Sequence, residues 1–151
     1  MKHRIEPDGT VVANLQVGDS FRGCIERLCA DLDIWGAQVT AIGAFKDPEL
    51  GCWDVPTRTY DRRTFDGVWE LLSLSGNITR RVDAAYPAAG QLGHVPFLHA
   101  HVTISGHGYQ VFGGHLFDAV CGVVVETFIR PLSSPLDRDY DDSIGLPCWI
   151  V

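Results

Sequence analysis

Leu98-His99-Ala100-His101-Val102-Thr103-Ile104-Ser105 alternates apolar and polar residues without a break. Successive side chains of a strand point to opposite faces. His99, His101, Thr103 and Ser105 therefore share one face, and Leu98, Ala100, Val102 and Ile104 form the core face. The segment from Tyr109 to Leu116 reads as the return strand after a Gly106-His107-Gly108 turn. Folding the hairpin about His107 sets Ser105 opposite Tyr109, His101 opposite Gly113 and His99 opposite His115. Opposed Cβ atoms stand about 4.5–5.5 Å apart, so the three histidines would cluster. Gly113-Gly114 leaves space above that cluster or forms a bulge. A one-residue slip would carry His115 to the other face.

The rest of the chain reads around this hairpin. Arg4–Val12 is expected as a first strand. Asp19 or Ser20 caps a helix to about Leu32, with Phe21, Cys24, Ile25, Leu28, Cys29 and Leu32 at helical spacing. Gly36–Phe45, Leu50–Asp54, Arg58–Phe65, Val68–Leu74 and Val123–Arg130 read as strands, with Asp47-Pro48 as a turn and Asp66-Gly67 as a hairpin signal. Thr79–Pro96, with Tyr86, Pro87, His94 and Pro96, lacks periodicity and reads as a long surface loop; the part after Pro131 reads as irregular. The expectation is a single α+β domain over residues 1–151, mainly antiparallel sheet with one principal helix.

Composition narrows the function. The 151 residues carry 19 Asp and Glu against 12 Lys and Arg, a net charge of −7. Binding nucleic acid needs clustered cations, so this balance argues against DNA as a partner. No apolar stretch approaches the roughly 18–20 residues of a membrane span, and the N-terminus lacks an apolar leader. A cytoplasmic protein is expected. Cys24, Cys29, Cys52, Cys121 and Cys148 form no C-x-x-C pair and read as buried, reduced thiols.

Chemistry gathers at the histidines. Three imidazoles can meet one divalent transition metal at about 2.0–2.1 Å and leave a coordination position open, the catalytic arrangement for zinc. Zinc is the expected ion, although ligand type alone also suits iron, nickel and manganese. The plainer reading is a polar sheet face. Glu70 and Glu126 interrupt apolar strands and are candidates for a general base or a partner of a liganding histidine; a salt-bridged or solvent-facing carboxylate is the simpler alternative. Arg80 and Arg138 are candidates to orient an anionic group. Trp53 and Trp69 add aromatic bulk where a small-molecule pocket would form.

Glu70-Leu71-Leu72-Ser73-Leu74-Ser75-Gly76, Leu98-His99-Ala100-His101-Val102, Gly113-Gly114-His115-Leu116 and Glu126 resemble, in order, the plants and prokaryotes conserved domain (PPC, also written PCC). Asp137-Arg138-Asp139-Tyr140-Asp141 before Gly145-Leu146 resembles its C-terminal signature. The resemblance implies an α+β homotrimer with His99, His101 and His115 as a metal site near a subunit boundary. Plant members join this domain to AT-hooks; no Arg-Gly-Arg-Pro core occurs here. The expected function is thus a homotrimeric metal protein acting on or binding a small molecule, in hydrolase- or lyase-type chemistry. The alternatives are a DNA-associated regulatory protein and a scaffold trimer with a structural metal.

Overall fold

Alternating burial organises the described residues, 1–82 and 94–151 of this computed structural model, into nine strands and one helix. The elements run β1 (Lys2–Ile5), β2 (Val11–Gln16), α1 (Phe21–Asp31), β3 (Gly36–Asp54), β4 (Thr59–Thr64), β5 (Val68–Val82), β6 (His94–Ser105), β7 (Val111–Pro131), β8 (Asp137–Asp141) and β9 (Leu146–Ile150). Tyr86 and Pro87 of the expected loop lie outside the described residues. The α+β class with one helix and a mainly antiparallel sheet stands.

Ser20 caps α1 by accepting a hydrogen bond from the Gly23 backbone N–H at 3.2 Å. Such a cap satisfies one of the helix's unpaired N–H groups. Phe21, Ile25, Leu28 and Cys29 point into the core, and the Phe21 ring meets Phe45 edge-on at 5.2 Å.

The sheet closes on itself. β7 pairs β3, β3 pairs β5, β5 pairs β6, and β6 pairs β7. Leu98 and Ile104 of β6, Ile78 of β5, Val39 of β3 and Leu116 and Ile129 of β7 are almost wholly buried inside this circuit. Burying each such leucine or isoleucine contributes about 1.5–3 kcal/mol. No helix among the described residues is long and apolar enough to cross a membrane.

Several sequence expectations need correction. The first strand is a hairpin, β1 with β2, turned by Gly9 at φ 85°. Asp47-Pro48 does not end a strand. It sits in a register shift inside β3, with Asp47 at φ 49°. Asp66-Gly67 joins strands that are not each other's partners, because β4 returns on β3. Both ends of the expected loop are strand, since β5 and β6 stay paired out to Val82 opposite His94, while residues 83–93 lie outside the described residues. Arg80 pairs with Pro96, and the Arg80 N–H turns away to Leu136. That pair exchanges no ladder hydrogen bonds, so proline's missing donor costs nothing there. The supposedly irregular C-terminal part contains the β8–β9 hairpin. The cysteines are free, but only Cys29 and Cys121 are buried; Cys24 and Cys148 are half-buried and Cys52 is exposed.

The deciding hairpin also differs in register. Ser105 faces Val111, Thr103 faces Gly113 and His101 faces His115. The connection is wider than a Gly-His-Gly turn: Gly106 receives from Tyr109 and donates to Gln110, with Tyr109 at φ 57°. The register moves by two residues, and an even shift preserves the face of every side chain. His115 stays with its partners, now opposite His101 rather than His99.

Candidate metal centre

β6 supplies His99 and His101, and β7 supplies His115. Their ring centroids stand 5.3, 5.1 and 5.5 Å apart, taking His99–His101, His99–His115 and His101–His115 in turn. One nitrogen from each lies within 4.8 Å of the other two. Three nitrogens around one tetrahedral ion stand about 3.4 Å apart, so modest ring rotation closes the set. Gly113 and Gly114 do not open space above the rings. A Cβ on Gly114 would lie 2.8 Å from the Gly51 carbonyl oxygen, and one on Gly113 2.9 Å from the Val102 oxygen. The glycines let β7 pass closely between β3 and β6.

Burial, reinforced by Arg138, His101 and Arg22, pulls the His99 pKa down to about 4. Burial, then His99 and His101, then Arg22 and Arg138, brings His115 to about 4 as well. Both rings are neutral at neutral pH and keep lone pairs for an ion. Nδ1 of His115 is buried with no hydrogen-bond partner among the described residues. Buried polar atoms are rarely left unpaired, and a ligand atom awaiting its ion is one reason for an exception. The donor set therefore fits a divalent transition metal.

His99 is engaged differently. Arg138 Nη2 lies 2.8 Å from His99 Nδ1, and a guanidinium only donates. A metal ion on either nitrogen of the neutral His99 ring requires this contact to open. On Nδ1 the ion takes the place of Arg138. On Nε2 the ring proton shifts to Nδ1 and confronts a second donor.

Arg138 thus belongs to the site, anchored also by Thr79 Oγ1 at 3.1 Å, Asn77 Oδ1 at 3.1 Å and the Pro147 carbonyl at 2.8 Å. Arg80 does not. It holds Asp137 in a two-pronged pair at 2.6 and 2.7 Å, so its anion is already supplied. Trp53 stands one ring away, 5.0 Å from Tyr60, whose own ring is 5.1 Å from His115. Within one chain neither Glu70 nor Glu126 reaches the triad. Exposed Glu70 pairs with Ser105, about 13 Å along the ladder from His101. Exposed Glu126 pairs with Ile42, about 35 Å of strand beyond His115. His94 begins β6 and is exposed.

Tyr60, Phe117, Phe97, Arg22 and Arg81 escaped the sequence reading. Phe117 sits 4.9 Å from His115, two residues on and on the same strand face, which alternation from His115 would have located. Arg22 crosses from the helix to the carbonyls of Leu98, Leu116 and Phe117 at 2.9 Å each. No local pattern marks it.

Among curated proteins none matches the chain. Solved structures do. A metal-containing protein from Archaeoglobus fulgidus is 31% identical, with 100% of each chain covered and a TM-score of 0.82. A plant- and prokaryote-conserved (PPC) protein from Pyrococcus horikoshii is 26% identical over 99% of this chain and 95% of that one, TM-score 0.80. A Bacteroides thetaiotaomicron protein with a provisional DNA-binding assignment is 21% identical over 99% and 96%, TM-score 0.84. The family model of the Plants and Prokaryotes Conserved (PCC) domain matches residues 5–133. That span contains the whole histidine triad, and the chain belongs to the PCC domain family.

Proposed function

We propose that His99, His101 and His115 hold a divalent transition metal, zinc first, and that the protein acts on or binds a small molecule beside it in hydrolase- or lyase-type chemistry. The observation that carries this reading is the convergence of one nitrogen from each of the three histidines, beside which Nδ1 of His115 is buried and unpartnered among the described residues. The Archaeoglobus relative, described as metal-containing, supports it. An ion held by three histidines supplies a Lewis acid with a position open to water or a substrate oxygen. Burial keeps His99 and His115 unprotonated for that task. Arg138, once its His99 contact opens, presents a guanidinium to an anionic group. Tyr60, with Trp53 behind it, forms an aromatic wall beside His115.

The homotrimer is part of the same proposal. Ile42, Val123 and Phe128 stand exposed on the outer face of β3 and β7, and Glu126 lies opposite Ile42 there. Such a surface suits a subunit contact. Glu126 is assigned to that contact and Glu70 to the tip of the β6–β7 hairpin, where it lines a cavity with Ser105 and Tyr109.

Metal analysis tests the reading. Zinc-loaded, desalted protein is expected to carry about one ion per chain, and His101→Ala to lose nearly all of it. Full zinc retention by His101→Ala would sink the assignment. Light scattering should give the mass of three chains; a monomer would remove the trimer.

A second reading, a DNA-associated regulatory protein, is favoured by the provisional assignment of the Bacteroides relative, and it opposes the expectation drawn from charge. Binding of AT-rich duplex at physiological salt that His101→Ala leaves intact would establish it.

A further inference from the structure

Positive charge is concentrated beside the triad in an otherwise acidic chain. The guanidinium carbons of Arg22, Arg81 and Arg138 lie 5.4, 5.2 and 5.9 Å from the centroid of a single ring, Phe97. All three line one cavity of about 320 Å³ with Tyr60, His99 and His115.

Among the described residues this charge is barely offset from within. The hydrogen-bond partners of Arg138 among the described residues are all neutral: Thr79 Oγ1, Asn77 Oδ1, the Pro147 carbonyl and His99 Nδ1. Arg22 binds three carbonyls and one carboxylate, Glu26 at 3.2 Å. That carboxylate also accepts from the Leu98 N–H at 2.9 Å. Among the described residues, Glu26 alone answers three guanidinium groups, in a chain where acidic residues outnumber basic ones 19 to 12. Guanidinium groups converging in a partly buried cavity are arranged to take an anion, which they bind through paired N–H donors.

The walls define the rest of the ligand. Phe97, Phe117 and Tyr60 line the same space and require an apolar body. The volume sits at the small end of ligand pockets, which run from about 300 to 1,000 Å³. A nucleic-acid duplex does not enter it. An inorganic phosphate gains nothing from three aromatic walls.

We propose that this cavity binds a small carboxylate-bearing molecule with a compact apolar body, its carboxylate on Arg81 and Arg138 and its body among Phe97, Phe117 and Tyr60. The proposal deepens the metal reading and rests on it only in placing the ligand beside the triad. It names the class of molecule on which the ion would act.

Ligand-observed NMR on the full chain tests it, with benzoate, phenylacetate and 2-hydroxyisobutyrate, each against its own amide, and with inorganic phosphate. At least one carboxylate is expected to bind at least tenfold tighter than its amide and tenfold tighter than phosphate. Arg81→Met keeps an apolar stem on Phe97 and removes the charge; it should weaken that binding about tenfold. Arg138→Met should act in the same direction, and the exposed Arg81 keeps the test valid if Arg138→Met fails to fold. Equal binding of acid and amide, equal binding of phosphate, or an unchanged affinity in Arg81→Met would overturn the proposal. Zinc content, measured in parallel, separates the two readings. Full zinc loading without a preference for acid over amide defeats this inference and leaves the metal. A clear preference in protein that holds no zinc defeats the metal and leaves this site.

Discussion

The strands that carry the triad and the hairpin that flanks it are held by different physics. β6 pairs on both sides, with β5 and β7, and buries Leu98, Ala100, Val102 and Ile104 on its inner face. β8 and β9 pair with each other and touch β5 through one parallel bridge, Arg80 with Asp137. Trp149 and Ile150 of β9 are 50% and 58% exposed. Polar links tie this hairpin down: Arg80 to Asp137, Arg138 to Thr79, Asn77 and His99, and Arg58 to the carbonyls of Asp142 and Ser143. The metal ligands thus ride on elements positioned by apolar burial. The Arg138 guanidinium, one of three that line the cavity, rides on an element positioned by directional bonds. Apolar burial is not screened by salt or titrated by pH, and exposed ion pairs are.

The largest effect that would test this contrast is a core truncation in β6. Leu98→Ala removes a wholly buried side chain and should cost about 2–5 kcal/mol, read as a lower urea midpoint. A loss under about 1 kcal/mol would mean that the closed circuit does not depend on this face.

Arg138→Met comes next. It breaks four hydrogen bonds from a guanidinium to neutral acceptors, and about 1–3 kcal/mol is expected to be lost. The same change frees His99 from a contact that must open for an ion, so zinc affinity should rise. A fall in zinc affinity would mean that Arg138 supports the ligand instead of competing for it.

Arg80→Ala should do less. The pair it breaks is a third exposed, and such pairs contribute about 0–1 kcal/mol. The difference from wild type should shrink as salt is raised from about 50 to about 500 mM. An effect independent of salt would assign Arg80 to packing.

The smallest effect is with pH. The Arg80 guanidinium holds the Asp137 carboxyl below its ordinary 3.8. A depressed acid stabilises the fold fully above the unfolded value and loses that contribution as pH falls through the folded one. Near-ultraviolet circular dichroism of Trp149 in the hairpin should change as pH drops below about 4, and Asp137→Asn should flatten that step. An identical step in Asp137→Asn would place the acid sensitivity elsewhere.

Legibility follows the same division. The alternation of β6 was plain because one face is apolar throughout, and a strand with one buried face must present its other residues together. His99, His101 and His115 were found that way. Their pairing differs from the expected register by two residues, because connection length is decided by turn geometry around Tyr109 rather than by hydrophobic pattern. The outer half of β5–β6 was hidden by Arg80, Arg81 and Pro96. These break the apolar rhythm but serve long-range contacts: Arg80 meets β8, and Arg81 stacks on Phe97. Arg80 and Arg138 looked equivalent as candidate anion binders. Only the fold separates them, by giving Arg80 an aspartate and Arg138 none among the described residues.

The amino-acid sequence by itself determined the α+β class, the capped helix, the two faces of β6 and the identity of the three histidines, because each depends on spacing along the chain. The tertiary structure alone decided what surrounds them. Closure of the sheet through β7 brings Arg22, Tyr60, Arg81, Phe97, Phe117 and Arg138 around the rings and leaves Glu70 and Glu126 away from them in the same chain. Those neighbours come from six different elements, and the free energy that gathers them is the burial of a shared core, which no local pattern records.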